Sequence, residues 1–497
     1  MEGSEAAAAA AYSVCALASY DDVTAMLVRT GETGTAGLML AGTARQCEGD
    51  MLHAESALRR AADRASAADR PYVIDLLAPL LVSRGMFARA AAAIATTAPP
   101  TRELEIGRLA LSSVVHAATG AARLSAREAR AAREALAARG DDALRVRVHE
   151  RLALAAYYRE GAAAALEEVR HGLQAAQRLR AHRPAAALHA VAYATQTGLA
   201  GDADAAWSQA LALAREAELG GDEPLRALAR VALYELAAER GDDARLAAAR
   251  AEIQAHPLPE RFHERFGAGV ADALRLAWSG DPRAARNALF VVKDATGRSH
   301  GERALCRALL ALISVALGDD DAARRFTRQA RAVSAHPAHH VTAQELRYRR
   351  IARALATVAA DLAADGDRVT RAAGARFLRR DPQLAALLEV RSLRDLTHVP
   401  AAVRGYARLI AIAREHLSRR PSSGPLTETE TEIVRLVACG RNAPQIAEIM
   451  NRSPHTVRTH LRNARAKLDA HGRLELVARA RTLGVLGGAP ERAVTAP

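Results

Sequence analysis

Apolar and polar positions repeat in blocks along the first four hundred residues. Each block is an apolar run, a Gly or Gly-Asp, and then an alanine-rich run, as in "GLAGDADAAWSQALALARE", "AERGDDARLAAARAEI", "AWSGDPRAARNALFVV" and "VALGDDDAARRFTRQARAV". The turn glycines Gly201, Gly241, Gly280 and Gly318 lie 40, 39 and 38 residues apart. Gly161 lies 40 residues earlier, and Gly120, Gly85 and Gly49 continue the series at 41, 35 and 36. Gly366, 48 residues after Gly318, is one further candidate. One glycine turn per unit at this spacing predicts stacked helical hairpins. Glycine supplies the left-handed residue that ends the first helix, and the Asp that often follows caps the second. Small side chains such as Ala205 and Ala206 let neighbouring helices approach closely.

The pattern changes near residue 418. "SRRPSSGP" (418–425) has the composition of a linker. "LTETETEIVRLVACG" then predicts a helix, with Thr427 and Glu430 as its capping box and Gly440 as its stop. Its inner face is Ile433, Val434, Leu436 and Val437. A second helix follows, with Asn442 as N-cap, Gln445 reaching back to it, and Ile446, Ala447, Ile449 and Met450 as apolar residues. The turn Asn451-Arg452-Ser453 leads into "SPHTVRTHLRNARAKL", where Ser453 is a good N-cap and Pro454 sits at the first helical position. Two short helices joined in this way predict a helix-turn-helix.

In the third helix Val457, Leu461, Ala464 and Leu468 recur at helical spacing, so one stripe faces inward. His455, Arg458, Thr459, Arg462, Arg465 and Ala466 then face outward. Arg458 and Arg462 lie one turn apart, each able to grip guanine O6 and N7. Between Arg452 and Arg481 there are eight Arg or Lys against two acids, which is dense enough for a phosphate footprint.

Composition narrows the fold class. Aromatic residues make up 3% of the chain, so a core must come from alanine, leucine and valine, and this favours an all-α protein. The formal net charge of +13 says less than it first suggests. The basic residues are nearly all arginine, with lysine only at Lys293 and Lys467, so the position of the charge matters more than its sum. Cys15, Cys47, Cys306 and Cys439 are scattered without metal or disulfide spacing, which suits a reducing compartment. The start of the chain does not read as a signal peptide, and the run around "ALLALISVALG" is too short to span a bilayer. A cytoplasmic protein with no membrane partner is expected.

The hairpin blocks resemble tetratricopeptide-like repeats, although the period is longer and the aromatic positions of that family are mostly missing. The resemblance implies an α-solenoid whose concave face binds a protein, a peptide or a small effector. Residues 426–486 are similar to the LuxR/FixJ-type DNA-binding domain through Leu426-Thr427, Glu430, Gly440, Ile446-Ala447, Ser453-Pro454, Thr456-Val457, His460-Leu461, Lys467-Leu468 and Arg473. That family is a four-helix unit whose third helix enters the major groove of double-stranded DNA and whose fourth supports dimerisation. The resemblance implies base contacts from Arg458, Thr459 and Arg462, and backbone contacts from Thr456, His455, Arg465, Lys467 and Arg473. Two departures stand out: Ala443-Pro444-Gln445 replaces the usual Asn-Lys-Glu, and Gly472 replaces a side-chain cap.

Other chemistries find little support. The chain has no Gly-Lys, so "RTGETGTAG" (29–37) cannot be a Walker A loop and reads as a turn. His336, His339 and His340 lack partners of metal-site type, and Asp319-Asp320-Asp321 reads as helix capping. No catalytic motif and no cofactor site is evident. Tyr157, Tyr158 and Trp207 read as core residues, with Trp207 also a candidate for lining a groove. The expected organisation is a helical-repeat sensor or interaction domain (1–417), a linker (418–425), a helix-turn-helix DNA-binding domain (426–486) and a tail (487–497). The expected function is a DNA-binding transcription regulator acting as a homodimer, with RNA polymerase as a candidate partner. The alternative is an interaction scaffold in which DNA binding is secondary.

Overall fold

The computed structural model describes residues 2–138, 141–159, 161–258, 262–295, 300–334, 343–363, 382–419, 426–450, 452–483 and 485–486. Gly366, the three histidines 336, 339 and 340, residues 420–425 of the expected linker, Asn451 and the expected tail lie outside them. Every regular element among the described residues is helical, and none of these helices is long and apolar enough to cross a membrane. The chain divides into two compact units, Met1–Ala413 and Arg414–Pro497.

The first unit is a stack of helical hairpins. Most helices pack on the next, and many alternate helices also pack on each other. Arg102–Ala118 meets both Ala122–Ala137 and Asp142–Tyr158, and Asp142–Tyr158 meets both Ala162–Leu179 and His182–Thr195. This two-layer arrangement is that of a helical solenoid. Alanine makes the layers close: Ala186, Ala217 and Ala229 surround Leu213 with almost no exposure.

The turns show why the glycines recur. At Gly241 the backbone is left-handed (φ 64), and the N–H of Asp242 returns to the carbonyl of Ala237 at 3.1 Å. The Asp242 carboxylate then accepts the N–H of Arg245 at 3.0 Å, closing one helix and opening the next. The same pairing of a left-handed glycine with a capping Asp occurs at Gly49, Gly201, Gly280 and Gly318, and Asp319 is indeed a cap. Gly85 and Gly120 are also left-handed. Gly161 departs from the expectation. Its φ is −94 and it is the N-cap of Ala162–Leu179. Its N–H returns to the carbonyl of Ala156, so it stands where Asp242 stands in its own turn, at the cap of the second helix. Gly221, outside the series, ends a helix in the same left-handed way. "RTGETGTAG" turns through Gly31, but helix Thr35–Glu48 begins inside it.

Buried polar side chains pair with one another inside this unit. Arg151 forms a bidentate pair with the Asp75 carboxylate (2.7 and 2.8 Å) and also bonds the Gly107 carbonyl, while the Tyr12 hydroxyl donates to the same carboxylate. Arg183 donates to the carbonyls of Cys15 and Ala18, which brings helix Glu2–Leu17 against His182–Thr195. A second cluster lies further along. Glu235 and Glu239 are both buried, one turn apart on Glu223–Arg240. Glu235 accepts the Tyr348 hydroxyl at 2.7 Å; Glu239 accepts Arg347 and, at 3.0 Å, the Tyr406 hydroxyl. Burial, and then the charge of Glu239, pushes the Glu235 carboxyl up to about 7.

Helix Arg404–Arg419 is seated on this cluster by contact and by charge. A Cβ on Gly405 would overlap the carbonyl of Ala238, so only glycine allows this approach. Arg408 donates to both oxygens of Asp243 (2.8 and 2.9 Å) and stacks 4.9 Å from the ring centre of Trp278. Trp207 is half-buried, with Arg245 4.7 Å and Arg240 5.8 Å from its ring centre. A cavity lined by Pro71, Ile74, Asp75 and Ile94 measures about 20 Å³. That is room for about one water and not for an effector.

Candidate nucleic-acid interface

The second unit is built on caps. In Glu428–Ala438 the Thr427 N–H donates to Glu430 (2.8 Å) and the Glu430 N–H donates to the Thr427 hydroxyl (3.2 Å). Asn442 and Gln445 form the same reciprocal pair at the start of Ala443–Ile449. Ser453 accepts the Thr456 N–H at 3.1 Å and Pro454 opens helix Pro454–Lys467. The fourth helix, Arg473–Thr482, starts at Gly472 with no side-chain cap. These caps satisfy N–H groups that the helices cannot satisfy themselves.

The inward stripe of the third helix is in place. Val457, Ala464 and Leu468 are buried and Leu461 partly so, against Ile433, Val434, Val437 and Ile446 of the first two helices and Leu476 and Ala480 of the fourth. This packing fixes which face is left over. Arg458 and Arg462 are exposed on it, one turn apart, with no carboxylate partner among the described residues. His455 is exposed beside them. Thr459 is half-buried and its hydroxyl donates to the His455 carbonyl (3.1 Å), so its methyl is what remains to present. Thr456 is tied to the cap through its hydroxyl, 2.8 Å from that of Ser453.

Two of the expected backbone contacts are engaged inside the unit. The Lys467 ammonium donates to Glu430 at 2.7 Å, and the side chain of Glu430 is only 3% exposed. Arg473 donates to the carbonyls of Val437 (3.2 Å) and Arg441 (2.9 Å), closing the end of the first helix. Both side chains hold the fold together across 36 or 37 residues of sequence, a pairing with no local signature.

The sequence reading did not single out Arg441. It lies exposed between Gly440, left-handed at φ 86, and the capping Asn442. With Arg458, Arg462, Arg465 and Arg473 it lines a cavity of about 350 Å³ between the end of the first helix and the flank of the third. Val437, Asn442, Ala443 and Leu461 complete the wall, and no acid contributes to it. The signal available in the sequence for Arg441 was its neighbour, a capping residue that brings the loop against the third helix.

Residues 424–480 match the family model described as GerE, bacterial regulatory proteins, luxR family. Over 68 residues the chain is 41% identical to the "Uncharacterized response regulatory protein YgeK" of Escherichia coli (strain K12), covering 14% of this chain and 46% of that protein. Over 85 residues it is 38% identical to the "HTH-type quorum sensing-dependent transcriptional regulator RpaR" of Rhodopseudomonas palustris, covering 17% of this chain and 34% of that protein. The chain therefore spans less than half the length of these relatives, and what it shares with them is a LuxR-family helix-turn-helix domain at its C-terminus.

Proposed function

We propose that the chain is a DNA-binding transcription regulator, with Pro454–Lys467 lying in the major groove. The observation that carries this reading is the exposed pair Arg458 and Arg462, presented without a carboxylate partner among the described residues on a helix whose opposite stripe is locked in the core. Each guanidinium reads guanine, and the Thr459 methyl lies between them for an apolar contact with thymine. His455 and Arg465 take flanking backbone positions. Lys467 and Arg473 support the fold first and touch phosphate second. On this reading the protein works in the cytoplasm.

Dimerisation on DNA is assigned to the fourth helix, which presents Leu474 at 87% exposure with Leu483 beyond its end. The first unit is read as a tetratricopeptide-like sensor for a protein, a peptide or a small effector. RNA polymerase is a further candidate partner.

The test is titration of the full chain with its operator and with random duplex at several salt concentrations. A regulator prefers the operator by about 10³ or more. Equal affinities would leave the interaction-scaffold reading in its place.

A further inference from the structure

The cavity beside the third helix has features that base reading does not use. Five guanidiniums surround about 350 Å³ with no acid in the wall. Like charges gathered in this way raise the local potential and attract an anion. Guanidinium forks match the oxygens of phosphate in pairs. Arg473 contributes differently, since by holding the Arg441 carbonyl at 2.9 Å it fixes the loop that carries Arg441.

We propose that this cavity is a phosphate clamp, in which Arg441 and Arg465 grip a backbone phosphate of the strand whose bases Arg458 and Arg462 read. The inference rests on the DNA-binding reading and adds to it a site on the flank of the helix. Arg441 is the residue it newly assigns, and Arg473 becomes a positioning residue. Because Arg458 and Arg462 border both the cavity and the outer face, a phosphate seated here sets the register of base contact.

The test uses the full chain, Arg441→Gln and Arg465→Gln, with Arg441→Lys as the conservative change. Arg441 is exposed, and unchanged melting curves will qualify each variant for comparison. Both Gln variants are expected to weaken operator and random duplex by the same factor. Each lost phosphate contact makes the salt dependence shallower by about 0.9 in log–log slope, so the difference from the parent protein shrinks about threefold between 50 and 200 mM salt. Arg441→Lys is expected to keep the slope. An unchanged slope, or a loss confined to the operator, would overturn the proposal. A second arm titrates pyrophosphate calorimetrically into the protein without DNA. Binding that Arg441→Gln abolishes supports the clamp even if no duplex binds, in which case only the DNA reading fails. Pyrophosphate binding that survives Arg441→Gln, together with an unchanged slope, rejects the clamp itself.

Discussion

Arginine does opposite work in the two units. In the first, Arg151 and Arg347 lie inside the fold, paired with Asp75 and Glu239, and their charge is consumed by carboxylates. In the second, Arg441, Arg458 and Arg462 stand exposed without a carboxylate partner among the described residues. A residue type that dominates the composition therefore carries no single meaning. Its function depends on whether packing supplies a partner or leaves the charge for an outside molecule.

The comparison can be broken most forcefully at the interior pairs. Arg347→Ala leaves Glu239 buried with only the Tyr406 hydroxyl, and should cost about 3–5 kcal/mol in chemical unfolding of the first unit. DNA affinity per folded molecule should not change. Arg458→Ala is the converse: an unchanged melting temperature, with about 1–3 kcal/mol lost from operator binding and a relaxed preference at one base. A melting shift equal to that of Arg347→Ala would erase the distinction. Lys467→Ala should behave like an interior change although it lies on the recognition helix, costing about 1–3 kcal/mol of stability because the nearly buried Glu430 loses its cationic partner and keeps only the Thr427 N–H. A uniform loss of DNA affinity without loss of stability would restore Lys467 to the phosphate contacts.

A pH experiment sharpens the contrast. The folded protein holds a proton on Glu235 up to about 7, whereas the unfolded chain releases it near 4.5. Between those values the folded state binds more protons, so the contribution of Glu235 to stability is full below about 4.5 and is lost as pH rises through about 7. Glu235→Gln should flatten that fall in urea unfolding between pH 5 and 8, and an unchanged slope would remove Glu235 as its source. The smallest effect is at the fourth helix, where Gly472→Ser should add a few tenths of a kcal/mol by supplying the missing cap.

How much of this was legible in the sequence follows from the range of each interaction. The capping boxes at Thr427 and Asn442 and the Gly-Asp turns involve residues three to five apart, so spelling alone revealed them. Gly161 shows the limit of that method, because a one-residue shift moved the glycine from the left-handed position to the cap. Gly221 was legible in "ELGGDEP" but fell between members of the forty-residue series. The face of the third helix was readable from its stripe. The partners of Lys467 and Arg473 were not, since both lie more than thirty residues away. The pairing of Arg347 with Glu239 spans 108 residues, and nothing in either neighbourhood announces it.

The ion pair between Lys467 and Glu430 gives the protein an unusual chemical handle. The sequence holds two primary amine side chains, Lys293 and Lys467, among dozens of guanidiniums that amine-directed reagents ignore. One of the two is committed to a nearly buried carboxylate in the unit that carries the recognition helix. The rate at which Lys467 acylates therefore reads how often that ion pair opens. Peptide mapping that separates Lys467 from Lys293 then reports on the integrity of the DNA-binding unit inside the intact chain, with no residue changed.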